Sequence, residues 1–149
     1  TRTLDTSEIF VTILFVMTDI VTFSKILSDE TRWRILRLIK QEALCVCELA
    51  DILEMPQSSV SSHVQVIRKA GLLESEKREK WTYFRLEARY LRPIARLEAF
   101  FHEDNANPPW RDDEEKMGKR LEERADSCCP GPILLKPRRP RTITGSNKR

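Results

Sequence analysis

Residues 43–71, ALCVCELADILEMPQSSVSSHVQVIRKAG, decide how the rest of the chain is interpreted. Apolar residues recur at helical spacing over Cys47–Leu53, and Pro56 ends that pattern because proline disfavours helix at the residue before it. A second helical pattern covers Gln57–Ala70, with serines on its polar face, and Gly71 is placed for a left-handed helix end. Two helices joined by a short turn predict a helix-turn-helix.

Two strand-like segments follow the second helix. Leu72–Glu76 and Trp81–Leu86 flank a short charged turn, Lys77–Lys80, and the second segment has the alternation of a β-strand. A hairpin at this place is the wing of a winged helix-turn-helix. The predicted fold class is therefore mainly α with a β-hairpin wing, an α+β winged helix-turn-helix.

Three further amphipathic helices are predicted around this unit. Asp19–Leu27 and Thr31–Lys40 precede it, and Glu87–Phe101 follows it. The last helix carries an apolar stripe that a complete small domain does not need, which indicates packing against a second copy. We therefore expect a homodimer formed through the N-terminal and C-terminal helices.

The length of 149 residues fits one domain with tails. We predict a DNA-binding and dimerisation domain over residues 19–101. Residues 102–129 are predicted to form a linker, a charged helix that is solvated, and the Cys-Cys pair, and residues 130–149 a basic, Pro-rich, disordered tail. Residues 1–18 are predicted to be an N-terminal extension. It is either upstream, non-native sequence before a natural start at Met17, or a short first helix used in dimer packing.

The apolar run Ile9–Met17 is too short to span a bilayer, which needs about 20 apolar residues. It also lacks the basic start of a signal peptide. We therefore predict a cytoplasmic protein with no membrane partner. The net charge of +3 is concentrated where nucleic acid would lie, because Lys and Arg outnumber acids over residues 57–86 and in the tail.

The four cysteines form two close pairs, Cys45/Cys47 and Cys128/Cys129. Neither spacing suits a disulfide within the pair, so reduced thiols are expected. Cys45 is either a small buried hydrophobe or a ligand for a soft ion, and Cys47 stands where Ser, Thr or Asp would cap a helix better. Cys128 and Cys129 are either ligands or unselected surface thiols.

The polar face of the second helix and the wing carry the candidate DNA contacts. Gln pairs with adenine, Ser is permissive, and Arg and Lys contact phosphates. The candidates are Gln57, Ser58, Ser59, Ser61, Ser62, His63, Gln65, Arg68, Lys77, Arg78 and Lys80. A solvated hairpin tip is the competing interpretation of the wing charges, because Glu79 lies among them.

Four segments together resemble the ArsR/SmtB family of bacterial metalloregulatory repressors, in particular its arsenical-resistance type. They are LSDETRWRILRLI, LCVCELADIL, SSVSSHVQVIRKAGLLES and WTYFRL, and the likeness covers Thr22–Phe101. The resemblance implies a dimeric repressor, not an enzyme, that binds double-stranded operator DNA. It would dissociate when arsenite or antimonite binds cysteine thiolates, with no organic cofactor.

The resemblance also implies a metal site. Cys45 and Cys47 match the first two thiols of the arsenite-sensing motif, but its third position is Ala50 here. Arsenite takes three thiolates and cadmium or lead three or four, so the remaining ligand is expected from Cys128 or Cys129, within one subunit or across the dimer. Cadmium, lead or zinc sensing and thiol-redox sensing are alternatives, although the last helix has no His for a zinc site.

Two other classes compete with a sensor. A redox enzyme would use Cys128 and Cys129, but the sequence has no Gly-rich cofactor motif. An architectural DNA-binding protein would use the basic tail for non-specific affinity. Neither explains two thiols at the mouth of a DNA-binding element.

Overall fold

The computed structural model describes residues 19–103 and 106–138. Within these ranges the predicted winged helix-turn-helix is confirmed, with six α-helices and a small antiparallel sheet. The predictions for residues 1–18 and for the end of the basic tail, 139–149, lie outside the described residues. Among the residues described, no helix is long and apolar enough to cross a membrane.

The helices begin and end close to the predicted positions. They are α1 (Ile20–Leu27), α2 (Glu30–Ile39), α3 (Val46–Leu53), α4 (Gln57–Lys69), α5 (Leu91–Phe100) and α6 (Trp110–Glu122). Asp19 and Asp29 cap α1 and α2, because each carboxylate accepts a backbone N–H in the first turn at 2.9 Å. Gly71 takes the left-handed conformation after α4, with φ 81°.

The wing belongs to a three-stranded sheet. Its strands are β1 (Leu44–Cys45), β2 (Leu73–Arg78) and β3 (Trp81–Leu86), in the order β1-β3-β2. The hairpin turn is shorter than predicted, because β2 continues to Arg78. Strand β1 was not predicted, since two residues carry no readable alternation. It pairs Cys45 with Tyr83 of β3 and so connects the wing to the start of α3.

Two groups of buried residues hold the fold together. The main core lies among α2, α3, α4 and the wing, and its fully buried members include Ile35, Leu36, Leu49, Val64, Ile67 and Leu86. A second, smaller cluster contains Ala43, Cys45, Tyr83 and Cys129. Three of the four cysteines therefore lie in or beside one cluster, since Cys47 packs at its edge.

Helix α6 is not the solvated helix that its charge predicted. Met117 and Leu121, one helical turn apart, are buried in the main core. Asp113, which is only 4% exposed, accepts two hydrogen bonds from the Arg34 guanidinium at 2.7 and 2.8 Å. The expectation was wrong for this face, because two apolar residues and paired charges suffice to pack it on α2 and α3.

The first part of the basic tail is also not disordered. Residues 129–138, here called the C-terminal strap, follow α6 and a 3₁₀ turn and lie along the wing. Arg138 at the far end donates to the backbone carbonyl oxygens of Lys40 and Leu86 at 2.8 and 2.6 Å. Composition predicted disorder because the segment has no periodicity, but hydrogen bonds to the wing replace the missing secondary structure.

Candidate thiol site and nucleic-acid interface

Three thiols meet at the N-terminal end of α3. The Sγ atoms of Cys45, Cys47 and Cys129 all lie within 4.8 Å of one another, and those of Cys45 and Cys129 are 3.7 Å apart. Three sulfurs bound to one ion at about 2.3 Å would lie about 3.8 Å apart. Small side-chain movements would therefore let these three thiols, here called the thiol trio, bind one soft ion.

Cys128 and Ala50 lie outside the trio. Cys128 is exposed, with its Sγ 3.9 Å from that of Cys129. Ala50, the position that the arsenite-sensing motif would fill with a thiol, is buried in the main core. The strap thus places Cys129, from the same chain, beside Cys45 and Cys47.

The start of α3 differs from the predicted one by one residue. Cys45 is the N-cap residue, and Cys47 lies within the first turn. The Glu48 carboxylate accepts the backbone N–H of Cys45 at 3.0 Å, which is one half of a capping box. The interpretation of Cys47 as the cap was therefore wrong, and the N-cap position belongs to the more deeply buried thiol.

A buried ion pair supports the thiol trio. Glu48, whose side chain is 0% exposed, accepts two hydrogen bonds from Arg124 at 2.7 and 2.9 Å. Arg124 also donates to the carbonyl oxygen of Ala43 at 2.8 Å. Glu48 itself holds the pKa of Arg124 above its usual value against the opposing effect of burial. The pair therefore ties the 3₁₀ turn that follows α6 to the first turn of α3.

A second cation reaches the trio directly. Arg120 lies with Nη2 3.6 Å from the Sγ of Cys129, while its Nε donates to Asp51 at 2.9 Å. Both cations beside the trio are thus paired with carboxylates. Sequence reasoning missed Glu48, Arg120 and Arg124. A signal existed for Glu48, because Glu three residues after a cap is the capping-box pattern.

Two of the three thiols, those of Cys45 and Cys129, are held in their neutral form. Burial raises the pKa of Cys129 to about 11. Burial, and then the neighbouring Glu48 carboxylate, raise the pKa of Cys45. Burial also raises the pKa of Tyr83, whose hydroxyl accepts the backbone N–H of Gly131 at 2.8 Å, to about 12. Cys45 and Cys129 are therefore protonated at neutral pH.

Replacing Gly131 with alanine should loosen the strap. Gly131 has φ 82°, and an added Cβ would lie 3.0 Å from Cδ of Arg124. A left-handed alanine costs roughly 1–2 kcal/mol, and Arg124 would have to move away from Glu48. We expect the free energy of unfolding in urea to fall by about that amount. Gly118→Ala is the control, because an added Cβ meets nothing within 4 Å there. Equal effects of the two substitutions would contradict the expectation.

The polar face of α4 remains the candidate nucleic-acid interface. Its exposed members are Gln57, Ser58, Ser62, Gln65 and Arg68, whereas Ser59, Ser61 and His63 are half-buried. The Nδ1 atom of His63 lies 3.8 Å from the Asp29 carboxylate, so this ring faces the start of α2. Helix α4 can thus offer amide, hydroxyl and guanidinium groups to DNA.

The wing offers two of its three predicted basic contacts to solvent. Lys77 and Lys80 are exposed. Arg78 turns toward the strap instead, and its Nη1 donates to the carbonyl oxygens of Pro130 and Gly131 at 3.1 and 2.7 Å. In this conformation Arg78 is held by the chain's own C-terminal segment.

A winged helix-turn-helix with a polar, exposed second helix defines a DNA-binding transcription regulator. The family described as "Bacterial regulatory protein, arsR family" matches residues 29–75. The arsenical resistance operon repressor of Escherichia coli K12 is 32% identical over 72% of this chain and 86% of its own length. The chain belongs to the arsR family of bacterial regulatory proteins, a family of regulators rather than enzymes.

Two further similar proteins match this chain over a shorter stretch or at lower sequence identity. The arsenic resistance transcriptional regulator ArsR1 of Pseudomonas putida is 44% identical, but the match covers 42% of this chain and about half, 49%, of that relative. A homodimeric winged helix-turn-helix DNA-binding domain from Mycobacterium bovis, Mb0332, has a TM-score of 0.53 at 20% identity, over 69% of this chain and 91% of that one. This second likeness supports the fold.

Proposed function

We propose that the protein is a metalloid-responsive transcriptional repressor. As a homodimer it binds double-stranded operator DNA through α4 and the wing, and it dissociates when arsenite or antimonite binds the thiol trio. The observation that carries the proposal is the approach of three thiols to within 4.8 Å at the first helix of a helix-turn-helix. The relative from E. coli, named an arsenical resistance operon repressor, supports it.

The charge balance of the site favours a neutral metalloid product. Arsenous acid and three thiols give a neutral tris-thiolate and three water molecules, so no charge enters the buried cluster. A cadmium ion would displace three protons and leave a complex of charge −1. Because Arg120 and Arg124 are already paired with Asp51 and Glu48, they offer little compensation for that charge.

The ligand would act on DNA through α3. Cys45 and Cys47 lie at the cap and in the first turn of this helix, which packs against α4. Drawing the two sulfurs toward Cys129 would move the first turn and shift α4 relative to its DNA partner. Coupling of this kind is typically about 1–3 kcal/mol, which is a 5- to 150-fold change in affinity. The thiols must be reduced, as they are kept in the cytoplasm.

The assignment of regions follows from this proposal. Residues 19–101 would bind DNA and dimerise, and residues 102–129 would bring α6 and Cys129 to the site. Dimerisation would use α1 and α5, whose exposed Ile20, Val21 and Phe100 leave apolar surface uncovered in a single chain. The exposed lysines of the wing, with Arg68, would contact phosphates.

Titration with arsenite and cadmium should separate the two ligand classes. At pH 7 in weak buffer we expect arsenite to consume three thiols per chain with almost no proton release, and cadmium to release about three protons per ion. A fluorescent operator measured in parallel should dissociate at one arsenite per chain. Loss of one thiol only, or an operator complex unaffected by saturating arsenite, would contradict the proposal.

Thiol-redox sensing is the second candidate, favoured by one distance. The Sγ atoms of Cys45 and Cys129 are 3.7 Å apart, so a short movement would allow a disulfide. Hydrogen peroxide would take two electrons and two protons from the thiols, giving a disulfide and two water molecules. This candidate would be favoured over the first if peroxide released the protein from operator DNA while the protein stayed bound to the operator in the presence of arsenite.

A further inference from the structure

We infer that the C-terminal strap competes with DNA for Arg78, and that Glu76 is the residue that positions the strap to do so. The inference rests on the proposed function. It adds a second route from the thiol trio to DNA, through the wing instead of α3. Arg78 would contact DNA when the strap is released and would be withdrawn when the strap is bound.

Glu76 anchors the strap to the wing. Its two carboxylate oxygens accept three successive backbone N–H groups, from Ile133, Leu134 and Leu135, at 2.7, 2.8 and 2.9 Å. Hydrogen bonds to a charged acceptor are stronger than those between neutral groups. Because Leu134 is 79% exposed, its apolar burial contributes little, and the carboxylate has a large share in holding this part of the strap.

Arg78 lies two residues further along the same strand. Its guanidinium donates to the carbonyl oxygens of Pro130 and Gly131, so the strap supplies acceptors that could otherwise be phosphate oxygens. An arginine near a wing tip is suited to bind phosphate, because it presents several donors in a fixed plane. The same donors cannot serve the strap and DNA at once.

The thiol trio is joined directly to these two carbonyl groups. Cys129 immediately precedes Pro130 and Gly131, and Gly131 is fixed a second time by the Tyr83 hydroxyl. The trio is complete only while the strap lies on the wing. A ligand that needs three thiols therefore binds the strapped state more tightly and shifts the population toward it. By linkage, DNA that holds Arg78 would weaken ligand binding by the same factor.

Glu76→Gln in the full-length protein tests the inference. The glutamine amide would place an NH₂ group where three N–H donors converge, so the strap should be released more often. We expect tighter operator binding without arsenite, and a slope of log K against log salt that steepens by about 1 for each Arg78 that gains a phosphate. Arsenite affinity should fall several-fold, because Cys129 leaves the trio.

Glu79→Gln is the matched control, since it removes the same charge from the same hairpin. Glu79 lies exposed in the turn, whereas the strap donates to Glu76. We expect little change in arsenite affinity and only a small gain in operator affinity. Equal gains in the two variants, or a fall of both affinities in Glu76→Gln, would overturn the inference.

A second variant leaves the wing unchanged. Leu134→Pro removes one of the N–H groups that donate to Glu76. Like Glu76→Gln, it should raise the affinity for the operator and lower the affinity for arsenite. Unchanged operator affinity with weakened arsenite binding would also overturn the inference. Wild-type protein in the same assay distinguishes failure of this inference from failure of the proposed function. If arsenite did not release the wild-type protein from its operator, the proposed function itself would be rejected.

Discussion

Replacing Cys129 with serine should abolish the response to arsenite while leaving operator affinity in its absence almost unchanged. The substitution removes one of three sulfurs from the trio but keeps the strap's backbone, and a serine oxygen is a poor ligand for a soft ion. Loss of supporting groups around a metal site typically costs 10- to 100-fold, so loss of a ligand should weaken arsenite binding by more than about 100-fold. Operator release by arsenite, followed by fluorescence anisotropy, measures this.

Cys128→Ser is the control for that experiment. The Cys128 thiol is adjacent in sequence and has the same chemistry, but it is exposed and lies outside the trio. We expect its arsenite response to match that of the wild type. If Cys128→Ser abolished the response and Cys129→Ser did not, Cys128 would be the third ligand and the site would require a different path of the strap.

Replacing Arg124 with methionine should cause a large loss of stability. Glu48 would remain in the interior, with a side chain 0% exposed, and would lose the cation that donates two hydrogen bonds to it. Removing one partner of a buried pair typically costs about 3–5 kcal/mol. We expect a decrease of this order in the free energy of unfolding, measured by urea denaturation, and weaker arsenite binding because the first turn of α3 loses its support.

Two further variants test this explanation. The double variant Glu48→Gln with Arg124→Met should recover most of the stability, because no uncompensated charge is then buried. Arg111→Met should change stability by less than about 0.5 kcal/mol, since the ion pair of Arg111 with Asp112 is largely exposed. A double variant as unstable as Arg124→Met alone would show that shape, rather than charge, accounts for the loss.

The part of the fold that could be predicted is the part that local sequence patterns determine. Helical spacing located α3 and α4, Pro56 placed the break between them, and the charged turn separated β2 from β3. These features depend on neighbours within a few residues. The same reasoning overestimated the exposure of α6 and predicted disorder for the strap, because both are held by contacts with residues far away in sequence.

The thiol site, too, could be predicted only in part from the sequence. Two thiols separated by one residue at a helix start resemble the arsenite-sensing motif, whose third thiol position is Ala50 here. That resemblance led to the prediction that Cys128 or Cys129 would complete the site. The choice between them was beyond sequence reasoning, because adjacent cysteines have the same intrinsic chemistry. Their difference arises from the path of the chain after α6, which buries one thiol and exposes the other.

The sequence by itself determined the winged helix-turn-helix, the position of its polar second helix and the placement of two thiols at the start of its first helix. Only the tertiary structure decided that Cys129 joins Cys45 and Cys47, that Glu48 and Arg124 support them, and that the strap holds Arg78. The physical reason is range. Periodicity, capping and turn preferences act over a few residues, whereas the contact between Cys45 and Cys129 joins positions 84 residues apart and exists only once both the sheet and α6 have packed.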